Sequence, residues 1–190
     1  MILAIFGGTF DPIHDAHLAV AREAAARFQL DRVLFVPAAG PPHKAGVTHA
    51  PYEDRYRMVE LACADDPSFI ASRLEAGTAS SYSIDTIEKI RATLAPGDQL
   101  FFLIGADAFA EIETWHRWRD VIRSVEFIVV SRPGHRYAVP PGARVSRLET
   151  VRLPVSSSEI RRRLGAGEQA ADVPAAVIDY IRARGLYRSC

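Results

Sequence analysis

Two histidines three residues apart, His14 and His17, close a segment reading Gly7-Gly8-Thr9-Phe10-Asp11-Pro12-Ile13-His14-Asp15-Ala16-His17. At that spacing two imidazoles can sit on one side of a helical turn and offer donors to one ligand. The residues before them, Ile2 to Phe6, form an apolar run that reads as a strand, and those after His17 take up a helical pattern. Adjacent glycines let the backbone turn and come close to a ligand, Pro12 stiffens the loop, and free N–H groups at a helix start favour an anion, most directly a phosphate. Two plainer readings stand beside this one. A glycine pair after a strand is often only a turn, and two histidines can be two ligands of a zinc site, although no cysteine pair or third histidine stands near them in sequence.

The whole loop resembles the Gly-Gly-x-Phe-Asp-Pro-x-His-x-Gly-His segment of the nucleotidylyltransferase superfamily. Within it, the chain is similar to bacterial nicotinate-nucleotide adenylyltransferases, because further motifs fall in the same order. Ala16 departs from that pattern, standing where the family usually has glycine. The resemblance implies ATP contacts at Gly7, Gly8, Thr9, Phe10 and His17, with His14 and His17 as catalytic residues.

Composition limits the partners. The chain has 190 residues, enough for one domain with a proper core, and its 23 basic residues balance 23 acidic ones. Holding a nucleic acid by bulk charge is therefore not expected, and small anionic substrates fit better than polymers. Cys63 and Cys190 make no metal or redox spacing and read as free thiols in a cytoplasmic protein. The run at Ile2 to Phe6 is too short for a signal-peptide core, and no membrane segment is expected. Oligomeric state is not legible. Lys44 and Lys89 are the only lysines, and all other basic charge is arginine.

Strands and helices must place these groups. Helical spacing of Leu18, Ala21, Ala25 and Phe28 is followed by a strand at Arg32 to Val36, and the loop Pro37-Ala38-Ala39-Gly40-Pro41-Pro42-His43-Lys44 then ends on the first lysine. By composition that loop reads as a solvated turn; the resemblance makes Lys44 a contact to the nucleotide phosphates. A helix at Tyr52 to Cys63, on which Arg55 and Arg57 read as solvent-facing, leads to a strand at Phe69 to Leu74. The small-residue stretch from Glu75 to Ser83 precedes a helix at Ile84 to Leu94, with Ser81 or Ser83 as its cap. Asp98 to Ile104 is apolar enough to be buried on both faces and ends in Gly105-Ala106-Asp107. Val125 to Val130 supplies the fifth strand, residues 136–147 read as a polar connection, and Glu149 to Leu153 as a last short strand. Ser156 and Glu159 match a capping box, and the final helix, Val173 to Tyr187, ends at Gly185.

Alternating strands and helices imply an α/β fold, a Rossmann-like open parallel sheet flanked by helices, for which the order 3-2-1-4-5 is expected. We read a single nucleotidylyltransferase domain over residues 1–190, helical from about 156 onward. In such a sheet ligands lie beyond the strand ends where the order reverses, between the strands ending in Gly7-Gly8 and Gly105-Ala106-Asp107. Asp107 reads equally well as a helix cap, and Trp115 and Trp118 as core. The resemblance assigns Gly105, Asp107, Ser156, Ser157, Ser158 and Arg161 to ATP, and Lys44, Tyr82, Ser83, Thr86, Trp115 and Arg132 to the second substrate. Arg161, Arg162 and Arg163 point roughly 100° apart on a helix, so only one faces the pocket; the motif register makes it Arg161.

This inventory lacks an acylating serine, a reactive cysteine or a carboxylate cluster, and suits nucleotidyl transfer by positioning and charge neutralisation. The resemblance implies transfer of the adenylyl group of ATP to nicotinate mononucleotide, with Lys44 and Arg161 holding the departing phosphates and Mg²⁺ arriving with ATP. Nicotinamide mononucleotide or phosphopantetheine would be alternative acceptors, and a non-catalytic ATP-binding module is an alternative of another class. No Asp or Glu is assigned to the acceptor pocket, so it is expected to hold donors only and to favour a carboxylate over a carboxamide.

Overall fold

Alternation along the strands divides the core into two layers. In β1 (Ile2–Gly8), Leu3 and Ile5 belong to one apolar cluster while Ala4 is buried in the other, with Phe6 packed against it. The same period-two switch separates Leu100, Phe102 and Ile104 from Phe101 and Leu103 in β4 (Gln99–Gly105). Both faces of the sheet are thus apolar and both are covered by helices. The computed structural model describes residues 1–40, 48–150 and 155–188.

Four further strands, β2 (Arg32–Pro37), β3 (Phe69–Ala71), β5 (Glu126–Ser131) and β6 (Arg144–Glu149), complete a parallel sheet of order β3-β2-β1-β4-β5-β6. Helices α1 (Asp15–Phe28) and α2 (Tyr52–Cys63) cover one face. They are joined there by α6 (Ser157–Gly165) and α7 (Ala175–Arg184). The other face carries α3 (Ser83–Arg91), α4 (Ala106–Ala110) and α5 (Trp118–Ser124). The order reverses between β1 and β4, whose carboxyl ends are Gly8 and Gly105. Among the described residues no helix is long and apolar enough to cross a membrane.

The edges depart from the sequence reading. Only Phe69–Ala71 pairs at β3, although the Ser72 N–H still donates to the Phe35 carbonyl at 2.9 Å. Of the strand read at Glu149 to Leu153, residues 151–153 lie outside the described residues; among the described ones the last strand is β6, paired from Glu126↔Arg144 to Ser131↔Glu149. An edge strand buries little, and Leu148 alone in β6 is fully buried, so Arg144, Ser146 and Arg147 hid the pattern. Gly7 and Gly8 likewise do not turn the chain, since both are the extended end of β1. The loop reverses instead at Phe10, whose φ of 48° is left-handed. Gly8 is tight for space, because a Cβ there would stand 3.0 Å from the Phe10 ring, which would have to give by a few tenths of an ångström. Arg55 is 1% exposed rather than solvent-facing.

An aromatic cluster under the loop joins β1 to β2: Phe35, wholly buried, lies 5.3 Å from Phe6, 5.8 Å from Phe10 and 5.1 Å from Phe69 between ring centroids. Replacing it leaves a cavity beneath the site. Phe35→Ala is expected to lower unfolding free energy by about 3–5 kcal/mol, measured by denaturant titration; a loss below about 1 kcal/mol would show that the cluster collapses around the gap.

Candidate active site

His14 is the N-cap of α1, with extended backbone (φ −148°, ψ 171°), and its own N–H donates to Nδ1 of His17 at 3.2 Å. That bond has a chemical consequence. Nδ1 of His17 is an acceptor and unprotonated, so the neutral ring carries its proton on Nε2. The two rings stack at 3.7 Å, and the His17 ring rests on Phe10 and Phe6 at 5.1 and 5.9 Å. Burial holds both below the ordinary histidine range, His14 at about 4 and His17 well below its usual value, the second lowered further by its neighbour. Both imidazoles are neutral near pH 7 and serve as donors or acceptors, not as cations. Nδ1 of His14 is buried with no protein partner, an unmet group at the edge of a cavity.

That cavity, of about 630 Å³, is lined by Gly8, Thr9, Phe10, Asp11, His14, Ala16 and His17 on one side and by Ser156, Ser157, Ser158 and Arg161 on the other, with Gly105 and Val130 at the strand ends. Helix α6 starts there as the capping pattern requires. The Ser156 hydroxyl accepts from the Glu159 N–H at 3.3 Å, leaving Ser157 and Ser158 N–H groups without intrahelical acceptors. Ser157 Oγ donates to the Pro12 carbonyl at 2.9 Å, and Arg161 donates to the Asp11 carbonyl at 2.7 Å and to Ser158 Oγ at 3.2 Å. Arg162 and Arg163 instead pair with Glu159, and Arg163 also with Asp172. Of the three arginines, Arg161 is the one lining the cavity.

A smaller cavity of about 190 Å³ adjoins it, sharing Phe6, Gly8 and Gly105, and is lined also by Ser81, Ser83, Thr86, Phe102, Ile104 and Trp115. Trp115 stands edge-on to Phe102 at 5.9 Å. One lining residue overturns the expectation of a donor-only pocket: Glu75, 8% exposed, accepts from Thr86 Oγ1 at 2.7 Å through Oε1, while its Oε2 is buried without a partner. The turn at Gly77 (φ 74°) returns the chain so that Glu75 lies against α3. A lone glutamate in a stretch of small residues carries no periodic signal.

A model of the cytidylyltransferase-like family matches residues 5–163. The chain belongs to the cytidylyltransferase-like family. It is similar to a protein of Solibacter usitatus named "Probable nicotinate-nucleotide adenylyltransferase", at 68% identity over 187 residues, covering 98% of this chain and 100% of the relative. A Thermus thermophilus protein of the same name is 46% identical over 190 residues, covering 99% of this chain and 100% of the relative. The solved structure of Plasmodium falciparum nicotinic acid mononucleotide adenylyltransferase complexed with NaAD matches with a TM-score of 0.80 at 20% identity, covering 98% of this chain and 97% of that one. At that identity the likeness is one of fold.

In this member of the cytidylyltransferase-like family, Gly7, Ser83, Thr86 and Trp115 line the smaller cavity, while Gly8 and Gly105 serve both. Phe10 is 2% exposed, and its ring is the floor beneath His17. Asp107 does not cap α4, whose N-cap is Gly105; its side chain is fully exposed, 3.9 Å from His135. Tyr82 is the N-cap of α3 and lies against His116 at 4.3 Å, outside the lining of either cavity, as is the exposed Arg132. Ser81 does not cap α3 but accepts from the Ala39 and Gly40 N–H groups at 2.9 and 3.0 Å, and Ser83 is the first helical residue. Lys44 lies outside the described residues. Sequence reasoning missed Asp11, Arg55 and Tyr187 as supports of the loop: Arg55 donates to the Thr9 carbonyl at 2.7 Å and the Ala50 carbonyl at 3.1 Å, and Tyr187 Oη donates to Asp11 at 2.6 Å. Of these, the buried arginine alone had a detectable signal, its place on the apolar side of α2.

The depressed histidines make stability depend on acid in a defined direction. Below pH 6.5 the unfolded chain takes up a proton at residue 14 that the folded site refuses until about pH 4. Stability is therefore complete above pH 6.5 and falls as pH drops from 6.5 to 4, by roughly 3 kcal/mol for this group. His14→Asn keeps a good N-cap residue and should flatten that part of a urea-midpoint profile; an unchanged slope would mean that His14 titrates normally.

Proposed function

We infer that this chain transfers the adenylyl group of ATP to nicotinate mononucleotide, giving nicotinate adenine dinucleotide and pyrophosphate, a step of NAD biosynthesis. The observation that carries the reading is the junction of two cavities at Gly8 and Gly105, one rimmed by groups that donate to phosphate and the other largely apolar, with a tryptophan edge and the Glu75 carboxylate. The names of the full-length relatives point the same way. An oxygen of the acceptor's phosphate attacks the α-phosphorus, the bond from that phosphorus to the bridging oxygen breaks, and pyrophosphate carries away the electron pair. His17 donates from Nε2 and His14 from its neutral ring to the oxygens on which charge accumulates. Arg161 and the Ser157 and Ser158 N–H groups hold the leaving phosphates, with Lys44 proposed beside them.

Mg²⁺ is proposed to arrive on the triphosphate. Asp11, the carboxylate lining the large cavity, has both oxygens engaged by His49 N–H, Ala50 N–H and Tyr187 O–H, so the donor set there fits phosphate and leaves the ion to the ATP oxygens. When bound it offsets charge on the departing pyrophosphate. With ATP as donor, we place the reaction in the cytoplasm.

Acid against amide turns on the smaller cavity. Ser83 and Ile84 N–H groups, in the first turn of α3, suit a carboxylate, whereas Glu75 Oε2 offers an acceptor to an amide and repels a carboxylate. Incubation with ATP, Mg²⁺ and a panel of phosphorylated acceptors, followed by pyrophosphate release, tests the function. Nicotinate mononucleotide should lead the amide by roughly tenfold or more in kcat/KM; release with neither pyridine nucleotide rejects the reading. His17→Ala should lower kcat by roughly 10² or more, a role rejected if only KM changes. Glu75→Gln removes a negative charge and should widen the acid preference several-fold; an unaltered ratio would place that carboxylate away from the pyridine ring.

A further inference from the structure

The chain's far end reaches the histidine loop. Tyr187, half-buried just beyond α7, donates its hydroxyl to Asp11 Oδ1 at 2.6 Å across 176 residues. Its φ of 62° is left-handed, a conformation that an aromatic residue holds only when its surroundings fix it. Burial and the adjacent carboxylate both push the phenol's proton affinity up, so the hydroxyl stays a donor. Asp11 in turn accepts from two backbone N–H groups ahead of α2, Ala50 at 3.1 Å on the same Oδ1 and His49 at 2.7 Å on Oδ2. Helix α7 is separately anchored to α2, because Tyr180 Oη and Arg184 Nε both donate to the buried Asp54, at 2.7 and 3.1 Å.

We propose that Tyr187 is a positioning residue for adenylyl transfer: by holding Asp11 it sets the histidine loop against the backbone of residues 48–50, and so fixes the aim of His14 and His17. This rests on the adenylyl-transfer reading above. With the hydroxyl removed, Oδ1 keeps only the longer Ala50 bond and Oδ2 the His49 bond, so the carboxylate loses one of its three donors and its orientation loosens, although Arg55 still bridges the Thr9 and Ala50 carbonyls. Donors that drift still attract ATP, but they lose the aim that the transition state requires. The effect belongs in kcat more than in KM.

Tyr187→Phe deletes that hydroxyl alone, and Tyr180→Phe deletes the same group at the α7 anchor remote from Asp11. In Tyr187→Phe, kcat should fall roughly tenfold with KM for both substrates within about twofold, a modest misplacement by the scale of such effects. Amide hydrogen exchange at His49 and Ala50 should quicken by about tenfold or more, because the carboxylate that accepts from those N–H groups is held less firmly. Tyr180→Phe should lower the melting temperature yet keep kcat and the exchange at residues 49 and 50. Unchanged exchange there in Tyr187→Phe, a kcat within about twofold of the parent, or loss of kcat in both variants in step with melting temperature would each overturn the proposal. If the parent chain releases no pyrophosphate with ATP and nicotinate mononucleotide, the functional reading fails by itself, and the exchange measurement alone decides whether Tyr187 holds Asp11.

Discussion

A single buried carboxylate, Asp11, holds the site together. It is 3% exposed, and an isolated charge at such burial would be costly unless fully hydrogen-bonded. Three donors reach its side chain, two from the adjacent His49 and Ala50 and one from Tyr187, and the Arg55 guanidinium, whose proton affinity burial lowers and Asp11 supports, lies close enough to offset its charge. The backbone around it is gripped as firmly, with Arg55 on the Thr9 carbonyl, Arg161 on the Asp11 carbonyl and Ser157 on the Pro12 carbonyl. A loop with no regular structure between β1 and α1 thereby becomes rigid enough to aim side chains. The supports come from four separate segments, around residues 49–50, 55, 157–161 and 187.

Rigidity explains the state of the histidines. Stacked rings inside a gripped loop cannot swing toward water when protonated, so burial lowers their basicity instead of being relieved by motion. In the proposed reaction, neutral imidazoles would contribute directed hydrogen bonds, while positive charge would come from Arg161 and the helix starts. For a reaction in which charge spreads over several phosphate oxygens, fixed dipoles that need no reorganisation are worth more than mobile cations.

Legibility from sequence followed the range of the interaction. Strand and helix periods are local, so β1, α2 and β4 could be read within a residue or two and α1 within three, and the alternation of elements pointed to a parallel sheet whose expected order the structure has. Ser156, Glu159 and the orientation of Arg161 are also local, lying within one helical turn. The failures are mostly long-range. Arg55 reads as surface because an arginine is usually solvated, and only the fold brings the Thr9 and Ala50 carbonyls to it. Glu75 escapes notice because its partner Thr86 lies beyond a glycine turn. Tyr187 and Asp11 are 176 residues apart, and no spacing rule connects them. At β6 the signal is present but diluted, since an edge strand has too few buried positions to show a period.

The glycines separate what folding needs from what ligands need. At Gly40 a Cβ would stand 2.4 Å from the Ala79 carbonyl oxygen, and at Gly8 it would press on the Phe10 ring, so both positions are constrained by the protein itself. Gly105 differs. It ends β4 with φ −71° and ψ 149°, which any residue adopts, and a Cβ there would meet nothing within 4 Å. Neither strain nor packing asks for glycine at that point. Yet Gly105 lines both cavities, as Gly8 does across the reversal of the sheet. The sheet's topology brings two strand ends together at one point; glycine at the first answers to the Phe10 ring, and glycine at the second is left to be accounted for by the proposed reaction.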